Sequence, residues 1–147
     1  MTDIRVRLAV AEDFPQVAAL LAELGRPQVT PETSESAVAV YERHLARENT
    51  ASLVAERDGA LLGFMSLEVR EHLNYTRPQA WIPDLIVTEA ARGLGISRAL
   101  LTRGFDLARE RGCDRVRLES GYARTVAHKV YKAVGMTNGG YYFTRSL

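Results

Sequence analysis

One cysteine, Cys113, three histidines and a single tryptophan are all that the 147 residues contain of those types. A lone thiol excludes an internal disulfide framework and any zinc site built from paired thiolates. His72 and His128 do not stand at metal-ligand spacing, so no metal is expected. Charge of one sign is equally scarce: 19 Lys and Arg against 18 Asp and Glu leave a net +1. The arginines are scattered, so nucleic acid is not an expected partner, and the absence of an acidic face argues against polycationic substrates. No apolar run approaches the roughly 18 residues of a membrane span, and Asp3, Arg5 and Arg7 put charge where a signal peptide needs an apolar stretch. The expectation is a cytoplasmic protein with no membrane partner. What is present, 46% hydrophobic and 25% charged residues, is the composition of a folded globular chain, read as a single domain over 1–147.

Periodicity gives the layout. Residues 4–8 alternate as a half-buried strand, and Asp13 and Pro15 open a helix carrying Val17, Leu20, Leu21 and Leu24 before Gly25. After a polar stretch over 26–33, Ser34 or Ser36 starts a second helix through Val38, Tyr41, His44 and Leu45. Strands over 52–56 and 61–69 flank an Asp58-Gly59 hairpin turn. Residues 80–87 read as one buried strand, with a local irregularity at Pro83. Gly93 and Gly95 precede a long helix with a wide apolar stripe of Leu100, Leu101, Phe105, Leu107 and Ala108, ending near Gly112. A strand over 115–119, a helix over 125–134 stopped by Gly135, and a strand over 141–145 complete the order β-α-α-β-β-β-α-β-α-β. A hairpin half joined to a crossover half predicts the α+β class: a single mixed, mostly antiparallel sheet flanked by helices.

The most informative run joins the buried strand to the long helix, Val87-Thr88-Glu89-Ala90-Ala91-Arg92-Gly93-Leu94-Gly95-Ile96-Ser97. Two glycines before a helix start allow several amides to converge on one concavity, where the helix dipole adds positive potential. Such a nest takes a phosphate or pyrophosphate, and Arg92 offers a forked cationic donor for the same anion. Two other phosphate motifs do not fit. Arg98 occupies the third glycine of a dinucleotide fingerprint, and no segment supplies a P-loop.

Asp84-Leu85-Ile86-Val87 followed by Arg92-Gly93-Leu94-Gly95-Ile96-Ser97 resembles the acetyl-CoA motif of the GCN5-related N-acetyltransferases, with Ser97 in the place of the pattern's last Gly or Ala. Ala127 to Met136 is similar to that family's aromatic-Tyr-x-x-x-Gly-Phe block, with the spacing of Tyr131 to Gly135 kept and Val130 and Met136 replacing the aromatics. Arg124 with His128, and the ending from Tyr142, are similar to the aminoalkylphosphonate acetyltransferase branch. The resemblance implies the acyl-CoA N-acyltransferase fold, acetyl-CoA as cosubstrate and a primary amine as acceptor, that of a small molecule, with a peptide N-terminus or lysine as the alternative. It implies that Leu85, Ile86 and Val87 carry the pantetheine strand and that Arg92, Gly93, Leu94, Gly95, Ile96 and Ser97 hold the pyrophosphate. Arg124 and His128 join the cofactor side, and Tyr131 is the general acid toward sulfur.

The resemblance also implies a carboxylate or histidine base on the strand before the loop, where Asp84 is the only ionisable side chain ahead of Val87, with Glu68 and Glu119 as runners-up. Asp84 reads equally as a buried anchor bonded to backbone. Asn74, Tyr75 and the 26–36 loop are expected to border the acceptor pocket. A homodimer is expected from the family, with the aromatic ending as a pairing edge or as part of the core. The contrasting readings are a non-catalytic acyl-CoA sensor or interaction domain and a nucleotide-binding regulatory domain.

Overall fold

In a computed structural model that describes residues 3–147, the hairpin around Asp58 and Gly59 forms the centre of a six-stranded sheet. β2 (Thr50–Arg57) pairs antiparallel with β3 (Ala60–Arg70), and β1 (Arg5–Leu8) adds to the outer edge of β2. Beyond β3 lie β4 (Gln79–Ile82) and β5 (Leu85–Val87), both antiparallel to it, and β6 (Val116–Leu118) runs parallel to β4. Alternation then sorts side chains between two helical layers. Leu53, Met65, Leu67, Ile82, Leu85 and Val87 pack toward α3 (Ile96–Glu110), whose Leu100 and Leu101 are fully buried. Val54, Phe64 and Ile86 face the other way, onto Val17 and Leu20 of α1 (Phe14–Glu23) and Tyr41 of α2 (Ser34–Ala46). The last helix, α4 (Thr125–Ala133), contributes Val130 and Tyr131 to the α3 layer as partly buried residues. The class is α+β with one mixed sheet, as the periodicity indicates.

Two strands come out differently from their sequence reading. The run over 80–87 is not one strand: Glu68 faces Trp81 and Met65 faces Leu85, so Ser66 and Leu67 of β3 stand opposite Ile82, Pro83 and Asp84. One extra residue is a β-bulge. Pro83 has no amide to offer a ladder, and pairing resumes where Ser66 N donates to the Asp84 carbonyl at 3.0 Å. Only β4 reaches β6, so the sheet parts beyond Ile82 and a cleft opens between β5 and the chain leaving β6. The strand expected over 141–145 is absent. Those residues have no regular secondary structure, and Tyr141 and Phe143 are 77% and 92% exposed. High β-propensity makes a strand only where a ladder partner receives it, and here the segment after Gly139 and Gly140 turns so that Tyr142 lines the cleft.

Asp13 also departs from the helix-cap role. Only 6% exposed, its carboxylate accepts bonds from Arg7 Nη1 and Nη2 at 2.8 and 2.9 Å and from the Val10 amide at 2.8 Å. Arg7 Nε donates to Glu56 at 2.8 Å, so one guanidinium ties β1 to β2 and to the turn entering α1. The Arg7 guanidinium holds the Asp13 carboxyl below the usual carboxylate range, against the opposing effect of burial. A carboxyl lowered in the folded state stabilises above its unfolded pKa, and that contribution is lost as pH falls through the folded one. Asp13→Ala is therefore expected to destabilise by about 1.5–3 kcal/mol near neutral pH. The difference from wild type shrinks below about pH 4, where carboxyls protonate. Urea unfolding at both pH values checks this, and an equal loss at each would assign the effect to packing alone.

Candidate active site

After β5 the chain makes a short 3-10 turn, Glu89–Ala91, and enters α3 through Gly93 and Gly95, at φ 82° and 78°. Both angles lie in the left-handed region that glycine reaches without strain. The helix ladder begins with Ala99 N donating to Gly95 O at 3.0 Å, so the amides of Ile96, Ser97 and Arg98 belong to the first turn and have no intrahelical acceptor. Arg92, Gly93, Leu94 and Gly95 are exposed around them. Arg92 Nε donates to the Val87 carbonyl at 3.3 Å, which anchors its side chain beside the amides. Left-handed glycines, free first-turn amides and a tethered guanidinium fit a pyrophosphate.

The strand before this loop has a polarity of its own. The Asp84 carbonyl and the Thr88 amide bond to β3, at Ser66 N and Leu62 O. Strand alternation gives Ile86 the same orientation and turns the amides and carbonyls of Leu85 and Val87 toward the cleft. The contact of the Val87 carbonyl with Arg92 follows from that direction. Ile86 shares the strand with them, but its backbone faces β3 and its side chain lies in the α1–α2 core.

Across the cleft, of about 470 Å³, stand Tyr131 from α4 and Leu118, Glu119, Ser120, Gly121 and Arg124 from the end of β6 and the loop after it. Burial pushes the Tyr131 phenol above its usual value, while the Arg124 guanidinium and the Ser120 hydroxyl pull it the other way. The phenol is thus neutral near pH 7 and holds a proton to donate. His128 Nε2 shares a 3.0 Å hydrogen bond with Ser120 Oγ, and the His128 and Tyr131 rings lie 6.3 Å apart. His128 is therefore joined to the cleft lining by Ser120 and does not line it itself. Nothing in the sequence marked that serine, because its importance comes from where β6 ends.

Asp84 is absent from the lining of this cleft and, with Ser66, borders a cavity on the other side of the sheet wall. Ser66 Oγ donates to its Oδ2 at 2.6 Å, Arg26 Nε donates to Oδ1 at 3.0 Å, and the Asp84 amide donates to Ser66 Oγ at 3.1 Å. Arg26 Nη2 also holds the Pro83 carbonyl at 2.8 Å. These four bonds pin the bulge. On their far side is a second, mostly apolar cavity of about 340 Å³ between α1, α2 and β3, lined by Arg26, Pro27 and Val29 of the 26–36 loop. Asn74 and Tyr75 line neither cavity. Glu68 is bound by Arg70, at 2.7 and 3.1 Å, which leaves Glu119 as the carboxylate lining the cleft with Tyr131. Outward strand amides, a neutral phenol and a carboxylate around one opening, with an anion nest in the connection that follows the strand, make a site for acyl transfer from a phosphate-tagged thioester.

Comparison with known proteins agrees with this geometry. The chain is 28% identical to the aminoalkylphosphonate N-acetyltransferase of Salmonella typhimurium over 142 residues, covering 97% of this chain and 90% of that protein. A transcriptional regulator from Bacillus halodurans superposes with a TM-score of 0.90 at 25% identity, covering 99% of this chain and 100% of that one. An aminoglycoside N-acetyltransferase in complex with CoA has the same fold, with a TM-score of 0.84 at 20% identity and coverage of 99% and 96%. Residues 15–136 match the acetyltransferase (GNAT) family, and the chain belongs to it.

Proposed function

We propose that this chain transfers the acetyl group of acetyl-CoA to the primary amine of a small molecule. The observation that carries the reading is the cleft itself, with Leu85 of β5 on one wall and a proton-holding phenol on the other, and with the glycine loop following that same strand. The aminoalkylphosphonate relative, aligned over nearly the whole chain, supports a small acceptor over a peptide. The lone, buried Cys113 thiol suits a reducing cytoplasm. The exposed aromatics Tyr141 and Phe143 support a homodimer.

Acetyl-CoA supplies an acyl group already activated as a thioester. Amides from Gly93 to Ser97, with Arg92, would hold its pyrophosphate, and Leu85 and Val87 would pair with its pantetheine arm. Tyr131 Oη carries the proton that the departing sulfur requires. Glu119 is the cleft carboxylate able to take the proton released by the amine, directly or through water, whereas the carboxylate of Asp84 is committed to Ser66 and Arg26. Asp84 acts as a positioning residue that keeps the bulge, and with it the cleft, open. Arg124 and Ser120 moderate the phenol from the α4 side.

Isothermal titration with acetyl-CoA followed by thiol release against a panel of amines tests the activity, and no binding would remove the reading. Tyr131→Phe is expected to lower kcat roughly 10²–10⁴-fold with little change in acetyl-CoA affinity. Unchanged turnover would take Tyr131 out of the chemistry. Subtracting the pH-dependent tyrosinate absorbance of Tyr131→Phe from that of the wild type isolates this one phenol. In an Arg124→Ala background its titration moves to higher pH, because the charge that lowers it is gone. Glu119→Gln is expected to reduce kcat on the order of 10²-fold. Asp84→Asn keeps Oδ1 as an acceptor for Arg26 and reverses the other bond, its amide nitrogen donating to Ser66 Oγ, and should lose under about tenfold; the reverse ranking would restore Asp84 as the base.

A further inference from the structure

The end of α1 holds both ends of β5, from which it is distant in sequence. Glu23 closes the helix, and Arg26 follows the left-handed turn at Gly25, φ 100°. Arg26 bonds the Pro83 carbonyl and the Asp84 carboxylate, where β5 begins. Glu23 takes the other end. Thr88 Oγ1 donates to Glu23 Oε1 and Oε2 at 3.2 and 2.9 Å, and the Glu89 amide donates to Oε1 at 3.3 Å. The first amides of a helical turn lack acceptors within it, and a carboxylate gives them a charge-assisted bond. The Thr88 side chain makes no such cap for the 3-10 turn that it opens, so Glu23 caps that turn from the neighbouring helix. Closure of the turn rests on the same two residues: Ala91 N and Arg92 N donate to the carbonyls of Thr88 and Glu89 at 3.0 and 3.2 Å. From Arg92 the chain passes directly into the nest at Gly93 and Gly95. The sign of the Glu23 charge separates two roles for it. A carboxylate that only neighboured an anion site would weaken anion binding by repulsion, and its removal would tighten it. A carboxylate that sets the shape of the nest has the opposite effect.

Resting on the proposed transfer from acetyl-CoA, we infer that Glu23 is a positioning residue for the pyrophosphate: by bonding Thr88 and Glu89 it fixes the turn that presents Arg92 and the glycine amides. Glu23 lines neither cavity and acts through those two residues. With Arg26 at the start of the strand, it makes the end of α1 a clamp on the whole cofactor wall.

The first measurement is calorimetric titration of the wild type, Glu23→Ala, Thr88→Val and the double variant with CoA. Glu23 is exposed, so its truncation leaves no buried cavity. Glu23→Ala is expected to raise Kd by roughly threefold or more, the size of a modest hydrogen-bonding loss. Thr88→Val keeps the shape of the side chain and removes the hydroxyl donor, so Kd rises here as well. The double variant should match Glu23→Ala within roughly twofold, because both changes remove the same contact. The second measurement is the ratio of kcat/KM for acetyl-CoA to that for S-acetylpantetheine, which presents the same thioester without a pyrophosphate. Glu23→Ala should lower this ratio by roughly threefold or more, whereas a general loosening of the fold lowers both constants alike and leaves the ratio where it was. A smaller rise in Kd, a tighter Kd, additive losses in the double variant or a ratio that holds overturns the inference and leaves the activity standing. The titration needs no acceptor, so it decides even where no amine releases thiol. A wild type that does not bind CoA removes the acetyltransferase reading and this inference with it.

Discussion

A single additional residue opposite β3 governs everything that the cleft can do. With two residues facing three at the Pro83–Asp84 bulge, β4 follows the direction that pairs it with β6, while β5 diverges and keeps only its bonds to β3. The amides left unpaired on β5 would ordinarily be a liability, since an open strand edge invites another strand. Here the edge faces a cleft closed on its far side by α4, where a ligand with its own amide groups can satisfy it. The bulge is not left to find its own conformation. Ser66 and Arg26 bond its carboxylate, carbonyl and amide, and Arg26 stands just after α1, so the helix layer fixes the irregularity from outside the sheet.

Two aspartates illustrate how environment assigns different work to the same side chain. Asp13 is buried beneath a forked arginine and serves to fasten the first strand to the sheet. Asp84 also meets an arginine, but in a partly exposed wall, and its bonds preserve a departure from regular structure. Neither carboxylate is free. The group proposed to donate a proton, the Tyr131 phenol, is instead placed where burial disfavours its anion and a nearby guanidinium limits the effect. The phenol is thus held between desolvation on one side and the exposed Arg124 guanidinium and the Ser120 hydroxyl on the other.

Most of the architecture was legible because strands with two buried faces and a helix with a wide stripe leave unmistakable periods. Leu53 and Val54 on β2, or Met65 and Phe64 on β3, alternate between the two core layers, and the stripe of α3 buries the residues its spacing indicates. The glycine loop was legible too, since positive φ at Gly93 and Gly95 is a local property of the chain. What escaped were features defined by partners distant in sequence. Pro83 signalled an irregularity but not its register, and nothing near Asp84 revealed Ser66 or Arg26. The terminal aromatic run looked like a strand because propensity is local, whereas a ladder requires a neighbour that this run does not meet. The bond between Thr88 and Glu23 likewise exists only once α1 lies beside β5.

The parted sheet leaves the two sides of the cleft unequally held. β2 and β3 sit at the heart of the ladder between two helical layers, while β6 contributes three residues, bonds to β4 alone among the strands, and α4 has no fully buried side chain. Segments of that kind open locally at a smaller free energy than the rest of the molecule. A molecule bound to the glycine loop and β5 on one side and to α4 on the other would bridge the gap, and by mass action its concentration would add directly to the stability of the weaker half. Acetyl-CoA, held as proposed, would then be a removable strut as well as a reactant, and the susceptibility of α4 to proteases would rise whenever the supply of acetyl-CoA fell.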